Sequence, residues 1–107
     1  MATEQERREL KSAMPKTALS MEHTERCRVL PNRSVLLDLL PSGGIVAEVG
    51  AAFGDFTREI MARNRPATLF LVDAWSTERY RKGKEKIEAD FAGEIADGRL
   101  HLRQGLS

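Results

Sequence analysis

The chain has 107 residues, 41% hydrophobic and 31% charged, which suits one globular unit with a modest core. Its 17 basic and 16 acidic side chains leave a formal charge of +1, so composition encodes no strong attraction to nucleic acid or to an anionic membrane. A single cysteine, Cys27, excludes an intrachain disulfide framework, and the two histidines, His23 and His101, are too far apart to complete a metal centre with it, so no metal ligand is assigned.

Residues 1–22 are polar, with the charge-rich run TEQERRELK followed by Pro15, and read as an arm without a sustained apolar face. The opening MATEQERREL is too charged for the apolar core of a signal peptide, and no run of about 18 apolar residues could span a membrane; the expectation is a cytoplasmic protein. From Glu22 to Leu30 the pattern is weakly helical. Asn32 is then placed to cap a short helix carrying Val35, Leu36, Leu39 and Leu40, which Pro41-Ser42-Gly43-Gly44 stops.

IVAEVG, from Ile45, is nearly continuous in apolar residues, as in a parallel strand buried on both faces. A helix comes next over about residues 55–63, with Asp55 as its cap and Phe56, Ile60 and Met61 on one face. TLFLVDAW reads as a second buried strand ending in Asp73. Ser76 or Thr77 then caps a polar helix running to about Ile95, interrupted or started late near Gly83. RLHLRQG alternates Leu100 and Leu102 with His101 and Arg103, the pattern of a strand with one wet face or an edge position.

Alternating helix and strand argues for an α/β fold: a Rossmann-like, doubly wound, mostly parallel sheet that is incomplete, with about three strands and flanking helices. In the order 3-2-1 and then a fourth strand, the first strand is central and the third an edge. The sequence contains no fourth strand, which leaves an unpaired apolar edge. Either the chain is a fragment, the preferred reading, or another copy completes the sheet as a homodimer.

The turn between the first strand and its helix carries the chemical information. A dinucleotide fingerprint, G-x-G-x-x-G, would start at Gly50 but meets Ala52 and Asp55 where two further glycines belong. Asp55 would also repel a diphosphate. The spacing E-x-G-x-x-x-G, formed by Glu48, Gly50 and Gly54, suits a ligand bearing an amino group and a sulfonium, which a strand-end carboxylate attracts. Asp73 ends the second strand about 20 residues later, where such sheets hold a ribose diol.

VAEVGAAFGDFTREI, LFLVDAW and the preceding LPNRSVLLDLLPSGG resemble the amino-terminal half of class I S-adenosylmethionine-dependent methyltransferases, closest to the small-molecule O-methyltransferase-like branch. The resemblance covers roughly residues 23–107. It implies that Glu48, Gly50, Ala51 and Gly54 lie against the methionine part of the cofactor, and that Asp73, with Ala74 and Trp75 beside it, meets the ribose. Gln104 to Ser107 would then lie near adenine. Trp75 keeps two readings, an aromatic stacked near the adenosine or a lid on the core.

The activity that the resemblance implies is transfer of a methyl group to a small-molecule oxygen or nitrogen, with neither nucleic acid nor membrane as partner. The family places its acceptor site in the half with no counterpart here, so no catalytic residue is assigned. Two other functions stay open: a non-catalytic half-domain serving assembly or regulation, and, more weakly, a fragment of an NAD-binding oxidoreductase. His23 and Cys27 lie one helical turn apart, too few for a metal site. The ERYRKGKEK run, broken by glutamates, reads as a solvated helix face.

Overall fold

A computed structural model describes residues 1–106, so Ser107 lies outside the described residues. Three strands, β1 (Ile45–Val49), β2 (Thr68–Asp73) and β3 (Leu100–Gln104), form one all-parallel sheet in the order β1-β2-β3. Ile45 pairs with Thr68, Leu69 with Leu100 and Asp73 with Gln104, so all three strands end at the same edge of the sheet. This is the expected α/β, incomplete Rossmann-like architecture, with β2 central and β1 and β3 outermost among the described residues.

The period of two sorts the side chains onto two unlike faces. Val46 and Glu48, Leu69 and Leu71, and Leu100 and Leu102 share one face, and helices cover it. These are α3 (Arg33–Leu39), α4 (Asp55–Glu59) with a π-helical turn (Ile60–Asn64), α5 (Glu78–Asp90) and α6 (Ala92–Ala96). Their contribution to the core is Leu37, Ile60, Ile87 and Phe91, packed around the fully buried Leu69, Leu71 and Leu100. Complete burial of one such side chain is worth about 1.5–3 kcal/mol.

No helix covers the other face among the described residues. Ile45 is 79% and Val49 62% exposed, which corrects the expectation that β1 is buried on both sides. An apolar run reports that a strand suits burial, not which neighbours arrive to bury it. On the same bare face, the Phe70 ring stacks on His101 with centroids 4.9 Å apart, and the Arg103 guanidinium lies 5.7 Å from it.

Helix boundaries obey local chemistry. Asn32 caps α3 by accepting from Val35 N at 3.1 Å, and Thr77 caps α5 by accepting from Tyr80 N at 3.3 Å. Asp55 is not the cap of α4: Gly54, at φ +82°, occupies that position, and the Asp55 carboxylate meets Arg58 at 3.2 Å instead. The helix after β2 breaks at Phe91, whose ring enters the core, and runs unbroken through Gly83. In the amino-terminal arm, a Thr3–Glu6 capping box closes α1 (Glu4–Ala13), which buries no residue, and α2 (Met21–Thr24) is a single turn.

Two ties fasten α3 to the π-helical turn. Arg63 donates two parallel hydrogen bonds to Asp38 at 3.0 and 2.7 Å. The buried amide nitrogen of Asn64 lies within 3.2–3.4 Å of the carbonyls of Leu37, Leu40 and Pro41, supplying donors at a helix end that has none of its own.

Gly83 lets α5 lie against the turn after β1, because a Cβ there would stand 2.6 Å from the Ala52 carbonyl oxygen. Glycine to alanine in a helix interior ordinarily stabilises by about 0.5–1 kcal/mol. Here the sign reverses: Gly83→Ala is expected to cost about 1–3 kcal/mol by overpacking, read as a lower urea midpoint. A midpoint at or above that of the wild type would show that α5 does not press on the turn.

Candidate site at the strand ends

The shared end of the strands is where an open parallel sheet receives ligands. A cleft of about 180 Å³ opens there, walled by Val49 and Gly50, by Val72 to Ala74, and by Gly105 and Leu106. Whole small-molecule sites occupy about 300–1,000 Å³, so this cleft has the size of a part-site.

Gly50 leaves β1 at φ +87° and donates to Val72 O at 2.7 Å, which binds the turn to β2. Among the described residues no atom stands within 4 Å of where its Cβ would be, so glycine serves both the backbone conformation and open approach to the main chain. Gly54 differs: its φ is +82° and a Cβ would meet Ile87 Cγ1 at 2.8 Å, so it serves the fit of the turn against α5. Ala51 between them is buried.

Ala52 is held in the left-handed region at φ +49° by groups at the end of β2 and just beyond it. Its N–H donates to Asp73 Oδ2 at 2.8 Å, and its carbonyl accepts from the Trp75 indole Nε1–H at 2.9 Å. Trp75 in turn donates its backbone N–H to Asp73 Oδ1 at 2.9 Å. Each Asp73 oxygen therefore carries one backbone amide and keeps further acceptor capacity, since an ionised carboxylate offers about four lone-pair positions. Of the two readings of Trp75, the core position is the one observed: its ring is fully buried.

Around the third strand end, Gln104 donates from Nε2 to Ala74 O at 2.9 Å, and Gly105 N donates to Asp73 O at 2.9 Å. Gln104 thus joins β3 to the segment after β2. Among the sequence candidates, Gly50, Asp73 and Ala74 line the cleft directly. Ala51, Gly54, Trp75 and Gln104 shape the segments around it.

Glu48 stands on the helix-covered face of β1, half-buried and outside the lining of the cleft. The hydroxyl of fully buried Thr57 donates to Glu48 Oε1 at 2.6 Å. Burial raises the Glu48 carboxyl above its ordinary value; the Thr57 bond and the Arg33 charge pull it back in part, and the Asp73 charge adds to the rise. Arg33, whose guanidinium lies 4.1 Å from the Phe56 ring centroid, and Thr57 do not stand out in the sequence. Neither lies at a spacing from Glu48 that a motif would flag.

His23 and Cys27 play a local part: the Cys27 thiol lies 3.6 Å from the His23 carbonyl, and His23 Nδ1 accepts from Ser20 N at 3.0 Å. Among the described residues, no group of three or more histidine, cysteine or acidic side chains is placed to hold a metal ion, and no helix is long and apolar enough to cross a membrane. No protein-family model matches the chain, and no curated protein matches it.

The raised Glu48 carboxyl has a definite linkage sign. Above the ordinary value of 4.5 the folded chain binds more protons at this site than the unfolded one, so its contribution to stability falls as pH rises through that window. Glu48→Gln keeps an acceptor for Thr57 and abolishes the titration. Its urea midpoint is expected to gain on the wild type as pH climbs above 4.5, then level off. Parallel midpoint-against-pH curves would show that Glu48 is not desolvated.

Proposed function

We propose that the strand-end cleft is the cofactor half-site of an S-adenosylmethionine-dependent methyltransferase acting on a small-molecule acceptor. The observation that carries this reading is the Asp73 carboxylate on the cleft wall beside the open Gly50 main chain, with a second carboxylate, Glu48, behind the turn on the helix-covered face. Asp73 at its strand end would suit the ribose of either cofactor, adenosylmethionine or NAD; the Glu48 charge close behind the Gly50 turn, where a diphosphate would lie, is what favours a ligand bearing an ammonium and a sulfonium.

Gly50 gives a ligand access to the main chain, with Ala51 and Gly54 shaping the turn around it. Asp73 offers its remaining acceptor positions to a ribose diol, and Ala74 and Gln104 form the neighbouring wall. Glu48 supplies negative charge from behind the turn. Ser107 belongs to the adenine side by resemblance alone. Adenosylmethionine, when bound, supplies the electrophilic methyl group. The chain's own groups bind and orient, and acceptor chemistry is assigned to no residue described here.

A second reading has its own observation. The bare sheet face with Ile45 and Val49, together with the outer edge of β1, suits an assembly module in which another copy pairs with the sheet as a homodimer. The two readings separate in one experiment, native mass spectrometry of the chain with adenosylmethionine or NAD added in turn. The expected result is an adduct with adenosylmethionine and none with NAD, and Asp73→Ala is expected to weaken it at least ~10-fold by removing a charged acceptor together with the bonds that pin both turns. A dimer that takes up neither ligand would favour the assembly module, and an NAD adduct alone would favour an oxidoreductase.

A further inference from the structure

We propose that Trp75 is a positioning residue for the strand-end cleft: its indole N–H locks the Ala52 peptide in the left-handed conformation, giving an alanine the backbone that a glycine would otherwise supply. Its bearing on ligand affinity rests on the cofactor reading above; its bearing on backbone conformation does not.

Three observations converge on this one residue. The Ala52 N–H is taken by Asp73 Oδ2 at 2.8 Å and its carbonyl by Trp75 Nε1 at 2.9 Å, so both polar groups are held by residues at the far end of β2. The same carbonyl rests where a Cβ at position 83 would come within 2.6 Å, so α5 closes over it. Trp75 is itself at φ +40°, an uncommon conformation for a bulky residue, while its ring stays fully buried and its backbone N–H bonds Asp73. A non-glycine residue keeps such a conformation only when its surroundings over-determine it.

The lock acts on the site through the direction of the chain. Ala52 lies between Gly50, which lines the cleft, and Gly54, which starts α4. Were Ala52 to relax to negative φ, the two glycines could not both keep their places, and the exposed main chain at Gly50 would turn away from Asp73. Trp75 thus serves the site without lining the cleft, reaching it through its bonds to Asp73 and Ala52.

The test removes that N–H and then removes the need for it. Trp75→Phe is expected to weaken adenosylmethionine binding about tenfold, the equivalent of about 1.4 kcal/mol. Adding Ala52→Gly is expected to restore affinity, because glycine adopts positive φ without help, while the melting temperature stays low because the smaller ring still leaves a void. Replacing the single tryptophan by its benzothiophene analogue, which keeps the shape and deletes the donor, supplies the same comparison in an intact core. Unchanged affinity in the analogue, or a loss that Ala52→Gly does not restore, would overturn the role in binding. If the wild type binds no adenosylmethionine, the cofactor reading fails and the lock is judged by the Ala52 backbone couplings and carbon shifts in NMR spectra. Loss of the left-handed signature in the analogue supports the lock, and its persistence overturns it.

Discussion

Everything at the strand ends depends on the Asp73 carboxylate having one backbone amide on each oxygen. One amide belongs to the turn after β1 and the other to the turn after β2, so a single side chain fixes two loops that the sheet alone would leave independent. Charge-assisted bonds of this kind are stronger than neutral ones and work best out of water, and Asp73 is half-buried. Gly105 adds a third loop through the Asp73 carbonyl. The cleft exists because three chain segments meet at one residue.

The second governing feature is the sidedness of the sheet. Every connection from α3 to β3 passes over the same face, as right-handed crossovers require when strands are added in the order 1-2-3. The covered face collects the leucines and Ile87, and the other carries Ile45, Val49 and the Phe70–His101 stack. A doubly wound sheet needs helices on both faces, so the described residues make up one layer of covering and one layer of sheet. The partly polar dressing by His101 and Arg103 sits over β2 and β3, while the β1 side stays apolar.

Much of this is legible in the sequence because it is local. Asn32 and Thr77 cap helices for reasons contained within four residues, and the apolar run before Asp73 places it at a strand end. The features that sequence does not reveal are non-local. That β1 is bare on one side depends on which elements exist elsewhere, not on IVAEV itself. The helix breaks at Phe91, whose ring packs in the core, and helix propensity does not contain that outcome. At the site, the turn and both acids are readable from spacing, but the Thr57 bond to Glu48 and the indole bond to Ala52 join positions with no periodic relation. Asp55 reads as a cap by residue type, yet the preceding glycine already occupies that position in a left-handed conformation.

Asn64 has a consequence of another kind, measured in storage time. Its amide nitrogen, with two hydrogens, lies against three carbonyls at the end of α3, and its own Oδ1 has no partner among the described residues. Asparagine amides hydrolyse spontaneously. Here the product would place a buried carboxylate against three carbonyl oxygens in a position that is 2% exposed. Tight packing slows the reaction while the chain is folded, so it proceeds mainly in molecules that open transiently, and a molecule altered in this way lacks the donors that join the end of α3 to the π-helical turn.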